Sequence, residues 1–147
     1  MGGQHLHRPV IDDATPDDAA AVVALWHACA LTRPWNDPAA DFARALAGES
    51  STILVARHDG IPVGSVMVGQ DGHRGWVYYL AVRPALQGQG IGTALFHAAE
   101  HWLCARSVPK VQLMVREDNA GALAFYRRLG LERQAVVVLG RFLGDAT

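Results

Sequence analysis

Three glycines at alternate positions, Gly88, Gly90 and Gly92, fall within QGQGIGTAL, between the strand-like run VYYLAV and a helix-like run. Without Cβ atoms, successive backbone N–H groups can converge on an anion, and a helix starting there adds its partial positive charge. The chemistry on offer is main-chain capture of a phosphate. A Walker P-loop needs GxxxxGK[ST], and no lysine follows any of these glycines. A dinucleotide fingerprint needs GxGxxG or GxGxxA, but Gly88 and Gly90 lead to Thr93, and Gly90 and Gly92 lead to Leu95. Two readings remain: Gln87-x-x-Gly90-x-Gly92 as an anion cradle, or a tight strand-to-helix connection that holds nothing.

A second segment, EDNAGALAFYRRLGL, places Asn119 just before a helical pattern, Tyr126 seven residues on, and Gly130 at its close. A third, His97-Ala-Ala-Glu100-His101, fits the inverted zinc-protease pattern HxxEH. On a helical wheel these three side chains lie opposite Leu95, Ala99 and Trp102, so they should face solvent, and no metal site is expected.

Elements must position these residues. Residues 5–11 can form a first strand. Thr15, Pro16, Asp17 and Asp18 then read as an N-cap, a proline at the first helical position and an acidic first turn. Val22, Val23, Trp26, Cys29 and Ala30 recur at helical spacing, so the helix should run to about Ala30. The prolines of TRPWNDP break it. A shorter helix over residues 39–47 should end at Gly48 as its C′ residue. Strands over residues 52–57 and 61–68 flank Asp59-Gly60, and Asp71-Gly72 turns the chain into a strand over residues 76–82, a hairpin-linked meander. A long helix follows the glycines, with Ile91, Leu95, Ala98, Ala99, Trp102 and Leu103 on one face. Val111, Leu113 and Val115 alternate as a strand, Ala122, Phe125, Tyr126 and Leu129 mark a helix, and residues 135–143 are strand-like. The fold class is α/β (α+β): a mixed, mostly antiparallel sheet with helices on both faces.

Composition excludes several classes. At 147 residues with half of them apolar and 18% charged, the chain suits one globular domain spanning residues 1–147. A formal charge of −1 supplies no basic field for nucleic acid. Cys29 and Cys104 lack CxxC spacing, which favours reduced thiols over a disulfide or zinc site. The longest apolar run, residues 19–26, is too short to span a bilayer. The start MGGQHLHRP lacks a signal-peptide plan, and Leu6 stands where myristoylation wants Ser or Thr. Cytoplasmic is the default expectation.

The glycine turn and the Asn119–Gly130 segment together resemble the GNAT N-acetyltransferase family, whose [Q/R]-x-x-G-x-[G/A] motif matches Gln87, Gly90 and Gly92. Its downstream motif matches Asn119, Ala122, Tyr126 and Gly130, and the element order agrees across nearly the whole chain. RPWNDP, DGHRG, YYL and EDN resemble a YpeA-like bacterial subgroup. The resemblance implies acetyl-CoA as donor co-substrate, with the amides of Gln87, Gly88, Gln89, Gly90, Ile91, Gly92 and Thr93 holding its pyrophosphate. Main-chain groups of Leu80, Ala81 and Val82 would pair with the pantetheine arm as an added strand, which needs splayed central strands and an exposed edge. Asn119 would bond the pantetheine, and Tyr126 would sit at the thioester sulfur.

Acetyl transfer to an amine needs a neutral nucleophile, a polarised carbonyl and a proton for the departing thiolate. A tyrosine with pKa near 10 stays protonated and can supply that proton, although a half-buried helix tyrosine also serves simply as packing. Some relatives carry Glu in an LEVR strand; here it reads LMVR, and Met114 cannot take a proton. The base therefore stays open among Glu117, Asp37, His73, Tyr79 and water. Trp35, Asn36 and Asp37 could line an acceptor wall, ring face and carboxylate recognising a cationic amine, or serve only as a turn. Asp71-Gly72-His73-Arg74 divides the same way. The expected function is an N-acetyltransferase acting on an unidentified primary amine, with a catalytically silent acetyl-CoA-binding module as alternative. Oligomeric state, including a homodimer, stays open.

Overall fold

The computed structural model describes residues 8–144, and its chain divides into two compact units, Met1–Met114 and Val115–Thr147. The first unit is a five-stranded sheet in the order β1-β2-β3-β4-β5. Its strands are β1 (Val10–Asp13), β2 (Ser51–His58), β3 (Ile61–Gln70), β4 (Gly75–Val82) and β5 (Val111–Leu113). The first four pair antiparallel, and β5 runs parallel to β4 after the crossover through α3 (Ile91–Cys104).

Sequence chemistry explains the local choices. Asp59 (φ 52°) and Gly60 (φ 79°) are both left-handed, the backbone a two-residue hairpin turn demands. At the second hairpin, Asp71 Oδ1 accepts the N–H groups of His73 and Arg74 at 2.9 and 2.7 Å, closing a longer polar turn. Pro16–Asp18 forms a single 3-10 turn before α1 (Ala19–Ala28), and Ala30, at φ 58°, leaves the helix two residues earlier than the spacing predicts. Asp37 caps α2 (Pro38–Ala47), its Oδ1 accepting the Ala40 N–H at 3.1 Å. Gly48 ends α2 in an extended conformation (φ −77°), not in the left-handed state of a C′ glycine.

Both sheet faces are covered. Ile53 and Val55 point into a core with Val22, Leu25 and Trp26 of α1 and Phe42 and Ala45 of α2. On the other face a Cβ at Gly64 would come within 2.9 Å of Leu95, and one at Gly75 within 2.6 Å of Leu103, so glycine at each position lets α3 sit close.

The second unit contains α4 (Ala120–Arg128). Gly130 (φ 92°) ends it in a Schellman arrangement, with Leu131 N–H on the Tyr126 carbonyl and Gly130 N–H on that of Arg127, both at 3.0 Å. Residues 135–143 form no strand. Val137 and Leu139 are 84% and 89% exposed, because β-propensity alone makes no ladder and the described residues of this unit include no strand to meet their N–H and C=O groups. Of the expected first strand, residues 5–7 lie outside the described residues, and β1 starts at Val10.

Candidate functional site

The site is built on β4. Along its far edge β4 pairs with β5 only at Gly75↔Val111, Trp76↔Gln112 and Val77↔Leu113, so no strand flanks Tyr78 to Val82 there among the described residues. Against β3 the register slips: Met67 faces Tyr78 and Ser65 faces Ala81, leaving Val66 opposite both Tyr79 and Leu80. This β-bulge puts Tyr79 at φ 52°, a left-handed conformation costing a side-chain-bearing residue about 1–2 kcal/mol.

Past the bulge, alternation sorts the main-chain groups. The Ala81 carbonyl lies 3.0 Å from where a Gly64 Cβ would stand, and Arg83 N–H donates to the Val63 carbonyl at 2.8 Å, so Ala81 and Arg83 face β3. Leu80 and Val82 therefore face the open edge. This corrects the expectation for Ala81, whose main-chain groups belong to the sheet. The Val82 carbonyl already accepts Gln87 Nε2 at 3.0 Å and Cys29 Sγ at 3.2 Å. The edge thus presents Leu80 and the Val82 N–H. Burial pushes the Cys29 thiol above its ordinary pKa, keeping it a donor.

The strand then enters the glycine turn. A 3-10 turn at Pro84–Leu86 leads to Gln87, whose side chain is spent on Val82. Gly88 (φ 84°) and Gly90 (φ 90°) are left-handed, with nothing within 4 Å of a Cβ at either, so here glycine is demanded by backbone conformation rather than by crowding. Gly90 is the N-cap of α3, and no side chain caps the helix. The amides of Gly88, Gln89, Gly90, Ile91, Gly92 and Thr93 make no hydrogen bond among the described residues. Six unspent donors at a helix N-terminus are the groups that an anion would need there.

Tyr79, expected as an acceptor-side residue, is held behind the edge. Its ring stacks on buried Trp26 at 3.9 Å and 9°, and its hydroxyl donates to Asp41 Oδ2 at 2.9 Å. Burial, then the Asp41 hydrogen bond, raises its pKa to about 12, so it holds its proton firmly. Trp35 is 57% exposed on the α1–α2 loop, beside exposed Asn36 and the capping Asp37. His73 sits in the β3–β4 hairpin turn, before β4 begins, and Tyr79 lies four residues into that strand, roughly 13 Å from its start at 3.3 Å per residue.

In the second unit Asn119 caps α4, its Oδ1 accepting the Ala122 N–H at 3.0 Å, which leaves its amide N–H groups to donate elsewhere. Tyr126 is half-buried, edge-on to Phe125 at 5.0 Å, and burial raises its pKa to about 12. Glu117 is exposed on the turn before α4. On α3, His97 and His101 are exposed, and among the described residues no three potential metal ligands gather.

Residues 20–131 match the acetyltransferase (GNAT) family. The chain belongs to that family. Among its relatives, an acetyltransferase of Pectobacterium atrosepticum is 48% identical over 127 residues, 86% of this chain and 90% of that protein. The fold matches the aminoglycoside N-acetyltransferase AAC(6′)-Iy solved with the bisubstrate analogue CoA-S-monomethyl-acetylneamine, at TM-score 0.79 and 15% identity over 94% of this chain and all of that one. It also matches an aminoglycoside acetyltransferase from an uncultured soil metagenomic sample, solved with sisomicin, at TM-score 0.74 and 20% identity over 92% and 96%. This GNAT chain is an acyltransferase enzyme.

Sequence reasoning missed four residues that shape the site: Cys29 and Gln87's side chain at the Val82 carbonyl, and Trp26 and Asp41 behind Tyr79. Trp26 and Cys29 appear in the pattern only as apolar helix positions, and Asp41 carries no signal beyond lying within the short helix expected over residues 39–47. Gln87 is five residues from Val82, but Asp41 and Cys29 meet partners 38 and 53 residues away in sequence, beyond any local spacing signal.

Proposed function

We propose that this GNAT enzyme transfers the acetyl group of acetyl-CoA to a primary amine by direct attack. The observation carrying the reading is the continuity of the unpaired Leu80–Val82 edge with the six unspent amides from Gly88 to Thr93. An extended amide-bearing arm suits the edge, and a diphosphate suits the amides. Two fold neighbours, one solved with a CoA-linked bisubstrate analogue and one with sisomicin, favour the same pairing.

In the reaction the amine nitrogen bonds the acetyl carbon, the carbon–sulfur bond breaks, and the nitrogen loses a proton as the thiolate gains one. We assign Tyr126 to the sulfur. A hydroxyl held near pKa 12 donates at every physiological pH, but a thiolate near 8.5 takes its proton uphill, so its contribution is hydrogen-bond stabilisation of developing charge. Asn119 donates its side-chain N–H groups to the arm. The exposed Trp35–Asn36–Asp37 face receives a cationic amine, ring and carboxylate each favouring positive charge. Removal of the amine proton falls to water or to an exposed carboxylate, Asp37 or Glu117. The match over residues 20–131 spans both units and supports one catalytic domain.

Calorimetry with acetyl-CoA, followed by thiol release against a panel of aminoglycosides, polyamines and peptides, tests the reading. Binding with amine-dependent thiol release is expected. Binding without turnover on any amine would favour the silent acetyl-CoA module, and no binding would remove the donor assignment.

A further inference from the structure

Tyr79 occupies the one position where β4 changes course. The last β4–β5 pair is Val77↔Leu113, and the bulge begins two residues later. A bulky residue at φ 52° persists only where its surroundings over-determine it. Here they do so from two helices, α1 and α2. The ring lies on Trp26, which is fully buried and donates through Nε1 to Ser65 Oγ at 3.1 Å, and Ser65 stands opposite Ala81 across the bulge. The hydroxyl reaches out of the sheet to Asp41 on α2, whose other oxygen accepts Arg44 Nη2 at 2.8 Å. The aromatic stack alone would be ordinary core packing. A carboxylate brought in from α2 to hold the hydroxyl adds direction, which packing does not need.

We propose that Tyr79 is a positioning residue for the acetyl-CoA arm: tied to Trp26 and Asp41, it holds the β4 bulge that turns Leu80 and Val82 toward the open edge. The inference deepens the acetyl-CoA reading and rests on it. A one-residue change of register would reverse which main-chain groups face that edge, so the bulge decides whether Leu80 or Ala81 meets the arm. Loss of the Asp41 tie lets β4 relax toward regular pairing, and apparent affinity falls with the fraction of molecules that keep the competent edge.

The test measures acetyl-CoA affinity by calorimetry, beside melting temperature, in the full chain. ADP serves as a probe that carries the diphosphate but no arm. Tyr79→Phe keeps the ring and its stack, and should weaken acetyl-CoA by about tenfold while ADP affinity stays within about twofold. Asp41→Ala should do the same, Asp41→Asn should recover most of the loss by keeping an oxygen acceptor, and Tyr79→Phe with Asp41→Ala should be no weaker than either alone. Acetyl-CoA affinity within twofold of the parent in both single variants overturns the clamp, as does equal loss of ADP and acetyl-CoA. A parent that binds ADP and acetyl-CoA equally overturns it too, because the arm then gains nothing from the edge. A parent that binds neither removes the donor assignment, and the clamp with it.

Discussion

Two helices of this enzyme begin at candidate site residues, and they begin in opposite ways. At α3 the N-cap is Gly90, no side chain reaches back, and the first amides are unspent. At α4 the N-cap is Asn119, whose Oδ1 takes the Ala122 N–H. The same four orphan donors exist at the start of any helix. One helix satisfies part of its own debt and gains local stability; the other leaves its donors open. A motif residue at a helix start can therefore leave donors open by its absence of side chain, as at Gly90, or occupy one, as at Asn119.

The sharpest way to break this contrast is to close the open terminus. Gly90→Asp places a carboxylate on the amides of Ile91 to Thr93 and tolerates a left-handed backbone better than most residues. We expect acetyl-CoA affinity to fall by about 10²-fold or more, since one anion now occupies the place of another, and the melting temperature to fall through the strain of a side chain at φ 90°, a strain that Gly90→Asn shares. Gly90→Asn, which caps without charge, should lose clearly less. Equal affinity in Gly90→Asp and the parent, by calorimetry, would mean that the turn holds no anion.

The second test moves to the far end of α4, where the Schellman close fixes the backbone at Tyr126. Tyr126→Phe should lower kcat by about a hundredfold, the low end for losing one hydrogen-bond donor to developing charge, with little change in KM for acetyl-CoA. Because its pKa is raised to about 12, Tyr126 stays protonated, and the parent's kcat should show no descending limb from this group below about pH 10. A variant within threefold of the parent would reduce Tyr126 to packing.

A third helix start sharpens the comparison through pH. The turn before α1 is sealed by Asp18, which accepts the Thr15 N–H at 2.8 Å and both Arg57 terminal nitrogens at 2.9 and 2.7 Å. The Arg57 hydrogen bonds lead in lowering its pKa from 3.8 to about 2. A depressed carboxylate stabilises the fold fully above its unfolded pKa and loses that contribution as pH falls through the folded one. Asp18→Asn should therefore cost about 2 kcal/mol at neutral pH, with the gap closing between roughly pH 4 and pH 2. A gap that stays constant across that window in urea melts would locate the effect outside the ion pair.

The smallest effect belongs to the satisfied terminus. Asn119→Ala removes a cap and should cost about 1 kcal/mol of local stability, visible as faster amide exchange in α4. Unchanged exchange would show that Asn119 does not stabilise the helix, and would leave ligand binding as its main task.

Much of this was legible in the residues alone. Asp59-Gly60 announces its hairpin, Pro16 and Asp18 announce a helix start, and Gly90 and Gly92 after an apolar strand announce a turn into a helix, because each signal acts within a few residues of itself. The α3 face was equally readable: Ile91, Leu95, Ala99 and Leu103 repeat at the helical period and all lie buried. Residues 135–143 show where this fails, since a strand needs a partner and apolar alternation names none.

What tertiary structure alone decided is which main-chain groups remain free. Leu80, Ala81 and Val82 read alike as a strand, but the bulge at Tyr79 sends Ala81 toward β3, and Cys29 with Gln87 consumes the Val82 carbonyl. Asp41 becomes part of that arrangement only because α2 packs where Tyr79 can reach it. Local chemistry writes turns and caps into the sequence. The availability of a backbone donor depends on what the rest of the chain has already bonded.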